Sequence, residues 1–194
     1  MTAQGMATGT MTGKRAMLDW FTALENGGRP LSPFQRVLLM TDGTVTDVLE
    51  VYVGEIIRVV VLDQCLTQPP LGTLLAGVGR PEPLLQRSIV LRGSESGTVF
   101  IYADATIAVD RLDPSLLHGL LDGAEPIGRL LARDRIETFR EIIEFGTEPA
   151  GAYGHHFAVE GSSTLLFRTY QIVVDRRPLM RITERFPKSW FVKP

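Results

Sequence analysis

The sequence predicts an α+β domain built on a single antiparallel sheet of about six strands with helices packed on it. Three observations lead there. Val-, Ile- and Leu-rich runs alternate with polar residues at a period of two, the pattern of half-buried strands. Most of these runs stand in pairs separated by short turns, and strands joined that way are antiparallel. The helix-like stretches are grouped instead of following every strand, which separates α+β from α/β. A chain of 194 residues is long enough for one domain with a substantial core.

Residues 1–13 are rich in Gly, Thr, Ala and Met, and lack the basic-then-apolar pattern of a secretion signal. They read as a disordered leader ahead of a single domain over residues 14–194. Lys14 to Asn26 place Met17, Trp20, Phe21 and Leu24 at helical spacing, and Gly27-Gly28 ends them. Ser32 caps a second helix through about Met40. After the turn at Asp42-Gly43, Val45–Val53 and Glu55–Leu66 read as two strands of a hairpin joined at Gly54. Residues 67–83 hold four prolines and three glycines and read as a loop placed to cover a site.

Leu84–Arg92 and Thr98–Val109 form the second hairpin. Pro114, preceded by Asp113, starts a helix, and Pro126 opens another helical stretch that continues through Thr138–Phe145. Gly146–Gly161 reads as a Gly-rich linker. Ser163–Val174 and Arg177–Pro187 form the last hairpin, and Trp190 and Phe191 cap the core.

Composition narrows the function. With 20 basic and 22 acidic residues and no Lys/Arg cluster beyond Arg176-Arg177, the charge pattern argues against a nucleic-acid surface. No apolar run is long enough for a membrane span. The single cysteine, Cys65, excludes an internal disulfide, which fits a cytoplasmic location; its strand-like surroundings read as a small buried hydrophobe, not a nucleophile. His155-His156 would point to opposite sides of a strand, so no metal site is expected. There is no Gly-rich phosphate loop and no nucleophile elbow, so any site is expected to be cofactor-free.

Two charges stand in the wrong row. In Leu179–Phe186 one strand face carries Met180, Ile182, Glu184 and Phe186, while Arg181, Thr183 and Arg185 make the solvated face. In Leu84–Arg92 the inward row is Leu85, Arg87, Ile89 and Leu91. A buried charge without a partner costs several kcal/mol. Glu184 and Arg87 therefore either pair with each other, guard an edge strand, or bind something polar inside the sheet.

Four segments together resemble the chorismate lyase family, in its actinobacterial and archaeal branch. They are Gln86–Gly93 (QRSIVLRG), Ile107–Leu112 (IAVDRL), Glu125–Glu141 (EPIGRLLARDRIETFRE) and Pro178–Phe186 (PLMRITERF). The resemblance runs from about residue 35 to 191. It implies one antiparallel sheet, an internal ligand pocket closed by flap-like segments, and cofactor-free cleavage of chorismate to 4-hydroxybenzoate and pyruvate. It further implies that Arg87 binds the ring carboxylate, assisted by backbone amide at Ile127 beside Gly128, and that Glu184 faces the hydroxyl end of the ring. Where the bacterial branch carries a W-G-R-R-S-like stretch, Ser162 to Arg168 keep one arginine. The branch also occurs in natural-product clusters.

Chorismate carries two carboxylates. Arg87 offers a two-pronged contact that a lysine cannot imitate. Arg168 is assigned to the enolpyruvyl carboxylate because its strand neighbours that of Glu184; the alternative is a surface residue. Whether Glu184 accepts or donates a proton stays open. Glu137, Arg140 and Glu141 read as a solvated helix face, and Arg129 and Arg133 as exposed. The alternatives to a chorismate lyase are a small-molecule-binding module or an enzyme acting on another substrate. Oligomeric state is not legible.

Overall fold

The computed structural model describes residues 14–27, 30–68, 83–123 and 125–192. The expected leader (1–13) and almost all of the expected covering loop lie outside the described residues. Five helices are described: α1 (Lys14–Gly27), α2 (Pro33–Met40), α3 (Val45–Val53), α4 (Pro114–Asp122) and α5 (Ile127–Arg133). The six strands are β1 (Ile57–Thr67), β2 (Leu84–Gly93), β3 (Val99–Ala108), β4 (Phe139–Pro149), β5 (Thr164–Val174) and β6 (Arg177–Pro187). They form one antiparallel sheet in the order β1-β2-β3-β6-β5-β4.

Six strands were expected, but one was misplaced. Val45–Val53 is not a strand; it is α3, burying Val45, Thr46 and Leu49 and ending at Gly54 in the left-handed conformation at φ +75°. The β-branched run suits a strand by propensity, yet helical burial and the Gly54 cap decide. Thr138–Phe145 is correspondingly not helical: Phe139 opens β4, an edge strand. Its ladder to β5 shifts between Ile142 and Glu144, so Arg140, Ile142 and Phe145 share a face. That extra residue turns a period of two into spacings of two and three, which imitates a helix. The supposed linker Gly146–Gly161 holds the end of β4 and a 3-10 helix at Gly151–Phe157. His155 and His156 lie in that helix with ring centroids 3.8 Å apart, and so are not strand residues. Cys65 is exposed, not buried, on the outer edge strand β1.

Two local readings hold at helix starts. Ser32 and Gln35 form a reciprocal capping box at α2. Pro114 occupies the first turn of α4.

The helices cover one face of the sheet in two groups. Trp20, Phe21, Leu38, Leu39 and Leu49 from α1–α3 pack with Leu91, Ile101, Leu166, Phe186 and Phe191. Leu116, Leu120, Leu130 and Leu131 from α4 and α5 pack with Leu85, Ile107, Ile172 and Met180. The two apolar clusters occupy opposite ends of one sheet face. Between them run two cross-strand rows: Arg87, Ala105, Ile182 and Tyr170, and Ile89, Ala103, Glu184 and Arg168. Alanine at 103 and 105, on a central strand, leaves the seam unfilled.

Candidate active site

The seam is a hollow whose empty volume is about 630 Å³ counting its mouth. All six strands reach it, through Val59, Arg87, Ala103, Arg140, Tyr170 and Glu184 among others, and its lid side is Gly43–Thr46 with Glu125–Gly128. Its lining is mostly apolar, with a few convergent polar groups, the usual build of a small-molecule site.

Arg87 enters from β2 and is 3% exposed. Its Nη2 donates to the Gly123 carbonyl at 3.3 Å, and its Nε is buried with no partner. No carboxylate pairs with it among the described residues. Burial pulls its pKa below the ordinary value, although a guanidinium stays charged. Glu184 stands across the alanine floor on β6, 7% exposed. Its Oε2 accepts from Arg168 Nε at 2.8 Å and its Oε1 from the Tyr170 hydroxyl at 3.0 Å. Both partners donate, which suits an ionised carboxylate. Burial raises the Tyr170 phenol far above its usual pKa, so it remains a donor. Arg87 and Glu184 therefore do not neutralise each other: β3 lies between their strands.

Arg168 is 1% exposed and buried behind Glu184 instead of on the wall of the hollow. Its Nη1 donates to the Thr41 carbonyl at 2.7 Å, and its guanidinium lies 4.9 Å from the Tyr170 ring centroid. It is not a surface residue. Tied to the Thr41 carbonyl on one side, it braces the Glu184 carboxylate on the other.

Ile127 and Gly128 line the hollow at the start of α5, which Pro126 precedes and no side chain caps. First-turn amides have no acceptor within a helix. Gly128 is needed for fit: a Cβ there would come 2.9 Å from Thr44 Cγ2 at the start of α3. Arg129 holds that contact with Asp47 at 2.9 Å and Glu50. It is thus an ion-paired tie between α5 and α3. Arg133 is half-exposed and pairs with Glu125 at 2.8 Å, and Glu137 is exposed.

Sequence reasoning missed two residues of the site. Tyr170 is two positions after Arg168 and shares its face, so the inward row of β5 contained the signal. Arg140 lines the hollow from β4, and its helical misreading hid it. Its Nη1 donates to the Asp42 carbonyl and its Nε is buried without a partner. No group of three or more metal-ligating side chains occurs among the described residues. No described helix is long and apolar enough to cross a membrane.

The chain is similar to known proteins in sequence and in fold. Residues 39–191 match the family model described as chorismate pyruvate-lyase Rv2949c-like. The chorismate pyruvate-lyase of Mycobacterium tuberculosis is 31% identical over 171 residues, covering 84% of each chain. That of Mycobacterium leprae is 33% identical over 172 residues, covering 84% of this chain and 78% of the relative. Among solved structures, the effector domain of PhnF from Mycobacterium smegmatis shares the fold. Its TM-score is 0.61 at 14% identity, covering 76% of this chain and 90% of that one. The chain belongs to the Rv2949c-like chorismate pyruvate-lyase family.

Proposed function

We propose that this protein is a cofactor-free chorismate pyruvate-lyase that releases 4-hydroxybenzoate and pyruvate. One observation carries the reading beyond family membership: an arginine without an acidic partner among the described residues and a braced carboxylate face the same hollow from opposite sides of an alanine floor.

In this reading the ring carboxylate of chorismate binds Arg87, with the amides of Ile127 and Gly128 beside it. The diene then lies over Ala103 and Ala105, and its C3–C4 edge points to Glu184. A proton leaves C4, the C3–O bond breaks, and the ring becomes aromatic as enolpyruvate departs. Protonation of the enolpyruvate methylene carbon completes pyruvate, so no oxidant or reductant is needed. Glu184, already accepting from Arg168 and Tyr170, serves as proton acceptor at that edge. Aromatisation supplies the driving force. The protein holds the reacting bonds aligned and excludes water.

The test is incubation of the purified protein with chorismate while pyruvate is followed. Pyruvate and 4-hydroxybenzoate appearing in equal amounts support the reading. Binding of 4-hydroxybenzoate without any pyruvate above background would make the protein a binding module. Absence of both would point to an enzyme of the same fold acting on another substrate.

A further inference from the structure

We propose that Arg140 is the anchor for a second carboxylate, and that through it the site prefers a dicarboxylate substrate to a monocarboxylate product. This rests on the reading of the hollow as a chorismate site, and names the residue that reads the enolpyruvyl end.

Three guanidinium groups and one carboxylate serve the hollow from the strands: Arg87, Arg140 and Arg168 against Glu184. Arg168 is consumed by Glu184 at 2.8 Å. Glu125, at the mouth, is consumed by Arg133 at 2.8 Å. Two cations are left without an acid among the described residues, which is the balance a dianion would close. Arg87 and Arg140 also share an unusual mark: in each, Nε is buried with no hydrogen-bond partner. A donor left unsatisfied in a site is costly, and a ligand oxygen removes the cost.

The placement fits the chemistry. Arg140 and Arg168 donate to consecutive carbonyls, Asp42 and Thr41, of the loop joining α2 to α3. Arg140 is therefore fixed at the Glu184 side of the hollow, away from Arg87 on β2. In chorismate the enolpyruvyl ether is on C3, next to the C4 edge assigned to Glu184. A carboxylate there meets Arg140 when the ring carboxylate meets Arg87. Once the C3–O bond breaks, the ring keeps only the Arg87 contact, so 4-hydroxybenzoate is held by one anchor instead of two.

The experiment is calorimetric titration of the full-length protein with two unreactive acids, 4-hydroxybenzoate and 3-(carboxymethoxy)-4-hydroxybenzoate. Wild type is expected to bind the dicarboxylate about tenfold tighter or more, since charge-assisted contacts of this kind are worth that factor. Arg140→Gln is expected to erase that preference while its affinity for 4-hydroxybenzoate stays within about twofold. Arg140→Lys, which keeps the cation, should retain part of the preference, and it replaces the glutamine variant if that one does not fold. The proposal is overturned if wild type shows no preference, if it binds neither acid, or if the variants weaken both acids equally or keep the full preference. Because neither acid is turned over, failure of chorismate cleavage would overturn the lyase reading while leaving this comparison intact.

Discussion

The two faces of the same sheet treat charge in opposite ways. On the outer face Arg185 Nη1 meets Asp104 at 2.9 Å and Nε meets Glu148 at 2.6 Å. Asp104 also accepts from Ser88 at 2.8 Å and Tyr102 at 2.9 Å. Every charge in that network closes on another. On the inner face, one residue away along the same strand, Glu184 is braced by Arg168 and Tyr170, yet Arg87 and Arg140 face the hollow with no acid among the described residues. Partial burial of charge does not by itself mark a binding site, because the outer-face network is partly buried too. The mark is whether their hydrogen-bonding capacity is used up within the fold.

The strongest way to break this contrast is Glu184→Gln. It keeps the shape and one acceptor oxygen but removes the charge at the reacting edge. Turnover of chorismate should fall by roughly 10²- to 10⁴-fold, the usual share of a positioned proton acceptor. Affinity for 4-hydroxybenzoate should change by less than about threefold, since Arg87 is untouched. Steady-state pyruvate release and calorimetry check the two halves. Full activity in the variant would remove Glu184 from the chemistry.

A paired substitution sharpens the contrast further. Arg87→Met removes a buried cation with no acid partner among the described residues, so binding of 4-hydroxybenzoate should weaken by about tenfold to a hundredfold. The thermal midpoint should hold or rise, because no carboxylate is left behind. Arg185→Met should do the reverse, costing about 1–3 kcal/mol of stability by stripping Asp104 and Glu148 of a shared partner. It should leave chorismate turnover within about twofold, since the outer face takes no part. Chemical denaturation and titration of both variants decide the matter; an unfolded Arg87→Met, or an Arg185→Met that no longer binds the acid, would contradict the assignment.

What was legible in the sequence follows from parity. Arg87 and Glu184 lie in regular strands, where a period of two places a charge on a face without further knowledge. Arg140 lies in a strand whose bulge breaks that period, so its row was lost together with the strand. Val45–Val53 failed differently: β-branched residues favour strands by propensity, while tertiary burial and the Gly54 cap made a helix. The hollow depends on register, because Ala103 and Ala105 matter only when set beside Glu184 and Arg87 on neighbouring strands. The partner of Arg168 depends on register too, since its pairing with Glu184 makes it a brace for that carboxylate.

The smallest expected effect belongs to the outer face, at His156. Its ring stacks on Tyr102 with centroids 4.9 Å apart, beside His155, and Arg185 lies over the neighbouring Tyr153 at 4.4 Å. Burial first, then the charge of His155, lower the His156 pKa below its ordinary 6.5, with Asp104 acting in the other direction. A base with a depressed folded pKa is protonated earlier in the unfolded chain. Above the unfolded value neither state carries the proton and stability is unaffected. As pH falls below that value the unfolded chain gains the proton first, and stability drops until the folded ring titrates as well. The thermal midpoint should therefore decline between about pH 7 and about pH 5. His156→Phe keeps a ring against Tyr102 but cannot titrate, so its decline over that range should be shallower than that of wild type. Parallel curves for the two proteins would show that the face opposite the hollow senses pH through other groups.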